Sequence, residues 1–148
     1  MENDLEMLSQ VIQWAKAQRQ IIQDNGVELS DNGMDLARSV GVEKPDMIRV
    51  MLVERIPLED TPFIYNLAKS TGMLTGKLMG MTFGHAIYIV RGSESSRLYS
   101  HEFRHVHQYE NFGSIEAFME EYLHQVLTFS YDKAPLELDA KKFEVEHV

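Results

Sequence analysis

The segment His101-Glu102-Phe103-Arg104-His105 constrains this chain more than any other. On an α-helix, two histidines four residues apart share a face with their Cβ atoms roughly 5–6 Å apart. Imidazoles so placed can both reach one ion at the ~2.0–2.1 Å Zn–N distance. Glu102 falls beside them, a poor third ligand but within reach of a metal-bound water, whose pKa zinc lowers to about 7. The pattern demands a helix here and a further ligand elsewhere. With no cysteine among the 148 residues, that ligand is a His, Asp or Glu. Disulfide frameworks, thiolate metal sites and cysteine nucleophiles are excluded.

The surrounding pattern supplies the helix. Residues 97–112 read as one, terminated by Gly113, and Ser114 caps a second whose Ile115, Phe118, Met119, Tyr122, Leu123, Val126 and Leu127 form an apolar stripe. Tyr131-Asp132-Lys133-Ala134 reads as a turn, and Pro135 starts a last helix with Leu136, Ala140 and Phe143 inward. Upstream, Leu5, Leu8, Val11, Ile12, Ala15 and Ile22 predict a helix over 4–24, stopped at Asn25-Gly26. A short helix over Met34–Val40 closes at Gly41, Ile48–Val53 reads as a strand, and Thr61-Pro62 opens a helix ending near Gly72. Gly80–Val90 reads as a second extended segment whose glycines mark a turn or bend. Few strands among segregated helices predict an α+β fold with a small sheet. Without repeats, low-complexity tracts or a Pro/Ser linker, residues 1–148 are expected to form one unit. Residues 1–45 are its helical N-terminal extension and 46–148 its core.

The charge balance narrows the partners. Fourteen Lys and Arg against 23 Asp and Glu leave a formal charge of −9, the wrong sign for neutralising nucleic-acid phosphates. Residues 101–148 hold 4 basic and 10 acidic side chains, which suits a cation site and equally suits solvated helix faces. The first ten residues carry three acids and no base, unlike the start of a secretory signal. No run of eighteen apolar residues spans a membrane. A soluble, cytoplasmic protein is expected.

Catalytic zinc takes three protein ligands and leaves one position open. Glu137, on the first turn of the helix that Pro135 starts, is the leading third ligand, ahead of Asp139, His124 and His107. The intervening helix is long enough to run away from the motif and let the chain return. His107 lies about 240° round the helix from His101 and faces away, whereas Gln108 returns to the histidine face, where it can hydrogen-bond behind a ligand. Arg104 is expected outward or paired with an acid, and His85 is a satisfied strand residue. An acyl-transfer site also needs a donor for the developing oxyanion. Tyr131, His124 and Tyr122 are the candidates, with packing over the turn the competing role for Tyr131. Met73, Met79 and Met81 can form a soft wall near the site.

His101-Glu102-Phe103-Arg104-His105-Val106-His107-Gln108, then Gly113-Ser114-Ile115, then Tyr131 and Ala134-Pro135-Leu136-Glu137, resemble the gluzincin branch of zinc metallopeptidases, and most of all its small bacterial minigluzincin-type domains. Residues 80–142 carry the resemblance. It implies a zincin-like fold in which the Gly80–Val90 segment is the edge strand lining the cleft, Zn2+ on His101, His105 and Glu137, and Glu102 as general base. Lys141 stands where the large gluzincins place an Asp four residues after the glutamate ligand, so the carboxylate that orients a histidine there is unassigned. No counterpart of their second, cleft-closing subdomain is expected.

The expected function is therefore hydrolysis of a peptide or protein substrate by a metal-activated water, with the substrate strand adding at Ala86–Val90. The alternatives are a zinc-binding but catalytically weak interaction or regulatory module of the same fold, and a helical domain in which the motif is accidental.

Overall fold

A computed structural model describes residues 2–146. Among them are six α-helices and one three-stranded mixed sheet, an α+β arrangement. The helices are α1 (Glu2–Asn25), α2 (Asp31–Ser39), α3 (Pro62–Ser70), α4 (Ser96–Phe112), α5 (Ile115–Phe129) and α6 (Pro135–Lys142). The strands are β1 (Arg49–Val53), β2 (Gly80–Phe83) and β3 (Ala86–Val90). None of these helices is long and apolar enough to cross a membrane.

The extended segment at residues 80–90 is a hairpin, so the sheet has one strand more than expected. Gly84, at φ 69°, opens the two-residue turn that joins β2 to β3, a backbone region glycine enters without steric cost. His85 lies in this turn rather than on a strand. The strand order is β1-β3-β2, with β1 parallel and β2 antiparallel to β3. This corrects the expected place for a substrate strand. Ala86–Val90 is the central strand, hydrogen-bonded on both sides, and the edge strands are β1 and β2.

Strand periodicity divides the core. On β3, Ala86 and Tyr88 join an apolar cluster with Val11, Ala15 and Ile22 of α1, while Ile87 and Ile89 join one with Phe103 and Val106 of α4. Successive side chains alternate between faces, so the sheet is covered by α1 on one side and α4 on the other. The Tyr88 hydroxyl donates to Gln18 Oε1 at 2.7 Å, and Val27 bridges to Val50, tying the N-terminal segment to the sheet. Helix α5 packs on α1 and α4, and α6 packs on α4. Two residues of the expected apolar stripes fall outside the core: Leu5 is 70% and Leu127 51% exposed.

Candidate metal centre

Helix α4 begins where the Ser95 hydroxyl accepts from Leu98 N–H and ends at Gly113, φ 87°. Ser114 then caps α5 by accepting from Ala117 N–H, so the chain reverses within two residues. After α5, Pro135 starts α6, and Leu136 N–H donates to Gln125 Oε1 of α5 at 2.8 Å. That bond fixes the first turn of α6 against its neighbour. Glu137, the next residue, is thereby aimed at α4.

The structure brings His101, His105 and Glu137 together. One ligand-capable atom from each lies within 4.8 Å of the others. His101 Nε2 is 3.1 Å from Glu137 Oε1, and His105 Nε2 is 3.2 Å from Glu137 Oε2. Two bonds of ~2.0–2.1 Å meeting at the tetrahedral angle set their donor atoms about 3.3 Å apart. Two imidazole nitrogens and a carboxylate with this spacing are a donor set that fits zinc.

The outer ring nitrogens are also committed. His101 Nδ1 lies 2.8 Å from Glu144 Oε2 and His105 Nδ1 lies 2.7 Å from Gln108 Oε1. Gln108 Nε2 donates to Leu136 O and Asp139 Oδ2, so its Oε1 is the acceptor for the His105 Nδ1–H. Both rings therefore carry a proton on Nδ1 and turn Nε2 toward Glu137. Such outer partners fix tautomer and orientation and make a ligating histidine more basic.

Burial and charge compete in this cluster. Burial opposes the charge on Glu137, but the His105 and His101 rings hold its carboxyl well below the usual carboxylate range. Burial also works against imidazolium, yet Glu137 outweighs it, raising His101 and pushing His105 up to about 9. Nε2 of each ring faces the carboxylate, at 3.1 and 3.2 Å. A divalent ion bound there would sit between these three groups.

The other candidates separate. Asp139 is not beside the ligands but pairs with Arg104, 2.8 Å from its Nε, and accepts from Gln108. Arg104 also donates to Val40 O and stacks 3.6 Å over the Phe143 ring. His107 bonds Gly41 O through Nδ1, away from the cluster. His124 is exposed on α5. His85 pairs with Glu110 at 2.9 Å. The Tyr122 hydroxyl donates to Glu137 Oε2 at 2.7 Å, so it orients that carboxylate rather than pointing free. Tyr131 lines the pocket beside Glu102, His105 and Glu137, with Met73 and Met81, while Met79 is exposed. Burial first, then Glu137 and Glu102, raise the Tyr131 phenol, which keeps its proton.

Glu102 is 4% exposed and accepts from Thr82 Oγ1 at 2.7 Å. Thr82 belongs to β2, and its carbonyl accepts from the Tyr109 hydroxyl. Gly80, two residues earlier, permits this approach, since a Cβ there would lie 3.0 Å from Glu102 Oε2. The edge strand thus buttresses the carboxylate.

No family model matches the chain, and no curated protein or solved structure matches it. Its chemistry is read from the site itself.

Sequence reasoning missed Glu144 and Thr82. Glu144 follows the end of α6, where no helical spacing points back to His101. It is fixed by Arg97 Nε at 2.8 Å, while Val145 N–H donates to Ser100 Oγ. Burial opposes its charge, but Arg97 and His101 hold it below the usual carboxylate range. Glu144 is thus a carboxylate that orients the His101 ring. Glu144→Ala is expected to weaken zinc binding about 10–100-fold, measured by competition with a chromogenic chelator. Glu144→Gln keeps an acceptor for the His101 Nδ1–H and is expected to recover most of the loss. Unchanged affinity in the alanine variant would show that Glu144 does not support the ligand.

Proposed function

We propose that this protein is a zinc-dependent hydrolase acting on peptide bonds, with His101, His105 and Glu137 as ligands and Glu102 as general base. The observation that carries this reading is the convergence of two imidazoles and a carboxylate, each oriented by a second partner, with a further buried carboxylate beside them. The zincin-like fold belongs to the same proposal. It is supported by the order of edge strand β2, motif helix α4 and glutamate helix α6 around one pocket.

Zinc held there supplies Lewis acidity toward a carbonyl and a water acidified to about pKa 7. Glu102 accepts the proton of the attacking water and returns it to the leaving amine. Thr82 Oγ1 donates to one oxygen of Glu102, which leaves the other for this transfer. The Tyr131 O–H donates to the oxyanion as charge develops on the carbonyl oxygen. Tyr122 and Gln108 keep Glu137 and His105 in place while this happens. A peptide strand would run along β2, whose second edge pairs with no strand among the described residues.

The test is metal content followed by turnover. Purified protein is expected to contain about one zinc per chain by mass spectrometry and to cleave members of a peptide library, activity that a chelator removes and zinc restores. His101→Ala is expected to lose both. Stoichiometric zinc with complete inertness across broad libraries would favour the binding module, and a fully stable chain that takes up no metal would sink both.

A further inference from the structure

A second cavity, of about 310 Å³, shares Tyr109 with the pocket at His105 and Glu137 but is lined by none of His101, Glu102, His105 or Glu137. Its size is at the lower end of pockets that hold small organic molecules, roughly 300–1,000 Å³. It lies where the 43–47 stretch, the Gly84-His85 turn and the α4–α5 junction meet Arg19 of α1.

Glu110 builds this wall. Its Oε1 accepts from Glu43 N–H at 2.8 Å, and its Oε2 accepts from Lys44 N–H at 3.0 Å and lies 2.9 Å from His85 Nε2. With its side chain only 10% exposed, this carboxylate is taken up entirely by the protein. What it fixes is the backbone at 43–44. The Glu43 and Lys44 side chains themselves are exposed on the rim and join no ion pair among the described residues.

Arg19 is the other open group. It is half-buried, and its stem crosses the hairpin turn, since a Cβ on Gly84 would lie 3.7 Å from Arg19 Cδ. Burial first, then Glu102, raise the Tyr109 phenol, and the Arg19 charge acts the other way, which sets the guanidinium near Tyr109. Glu116, the acid at the start of α5, is engaged by Lys16. No carboxylate among the described residues pairs with Arg19. A guanidinium left free presents a planar fork of donors that matches a carboxylate.

The charges select the ligand class. Arg19 and Lys44 are set against Glu43 and Glu110, so with His85 neutral the walls sum to about zero. A doubly charged anion such as phosphate would meet Glu110 as well as Arg19, and a lone ammonium would meet Arg19. A molecule with one charge of each sign meets neither obstacle, and Met47 and Ile115 add apolar wall. We propose that this cavity binds a free α-amino acid with an apolar side chain, its carboxylate on Arg19, its ammonium on Glu43 and its side chain against Met47 and Ile115. The proposal goes beyond the hydrolase reading and does not rest on it.

The probes are L-leucine, N-acetyl-leucine, which lacks the ammonium, and leucine amide, which lacks the carboxylate. Each is titrated by calorimetry into the full chain in EDTA, so that no zinc is present to bind them. Leucine is expected to bind saturably and each single-charge analogue about tenfold more weakly, the contribution of one hydrogen bond to a charged group. The backbone amide resonances of Gly84, His85 and Ile115 are expected to shift, while that of Gly80, beside Glu102, is expected to stay.

Arg19→Met, which keeps the stem over Gly84, is expected to bring leucine down to the affinity of leucine amide and to leave the amide unchanged. Glu43→Gln is expected to do the same with N-acetyl-leucine. Both side chains reach solvent, so both variants are expected to fold, checked by circular dichroism. No leucine binding, equal affinity for all three probes, tighter binding of inorganic phosphate than of leucine, or shifts centred on Gly80 would overturn the proposal from the wild-type chain alone. Because EDTA is present throughout, failure of the hydrolase reading leaves each of these outcomes unchanged.

Discussion

Glu102→Gln is expected to keep its zinc and to lose about 10²–10⁴-fold in peptide hydrolysis, the usual contribution of a positioned general base. The substitution is close to isosteric. Glutamine retains an Oε1 that accepts from Thr82 Oγ1, and Gly80 leaves the amide the room it leaves the carboxylate. The contacts among His101, His105 and Glu137 do not pass through Glu102. What disappears is the oxygen able to take a proton from water. Removing a negative charge that is 4% exposed also removes its desolvation cost, so the variant is expected to fold as well as the parent. Zinc analysis and turnover on the same sample separate binding from chemistry. Undiminished hydrolysis would show that another group is the base.

The motif histidines and Glu137 were legible because each signal was local. His101 and His105 need only helical spacing, and Pro135 announces the element that carries Glu137. Gln108 was legible for the same reason, since seven residues after His101 return it to the same face. Glu144 was not, because it lies beyond the end of α6 and reaches His101 through a chain path set by Ser100 and Arg97. Asp139 was weighed as a ligand, and its type was right for one; the competing partner, Arg104, sits on α4, and no spacing announces that pairing.

In the fold, long amphipathic helices read well and the sheet less so. Residues 80–90 are extended and apolar on both faces, a pattern that fits one long strand as easily as a hairpin. The two-residue turn at Gly84-His85 decides the matter, and only the positive φ of Gly84 distinguishes it from a bend. That one turn moves Ala86–Val90 from the edge of the sheet to its middle and puts β2 against Glu102. The burial of α1 was readable from its 3.6-residue period. Its approach to the pocket beside His105 and Glu137 was not, because the α1–α5 packing that carries Trp14 there joins segments roughly a hundred residues apart.

Glu137→Ala separates metal affinity from fold stability, and the two are expected to move by very different amounts. Zinc binding is expected to fall by more than the roughly 10–100-fold that loss of an outer partner costs, because a coordinating atom is gone. No replacement stands ready: Asp139 is held by Arg104 and Gln108, and Glu144 by Arg97. The metal-free fold is expected to lose no more than about 1–3 kcal/mol, the cost of stranding a fully buried hydroxyl, because Tyr122, whose acceptor was Glu137, is only half-buried. The imidazoles limit the damage. Without the carboxylate they shed the Nε2 protons it had stabilised and stay neutral, so no unpaired charge is left inside. Chelator competition and chemical denaturation in EDTA read the two quantities independently. Wild-type zinc affinity in this variant would remove Glu137 from the ligand set, and with it the chemistry assigned to Glu102.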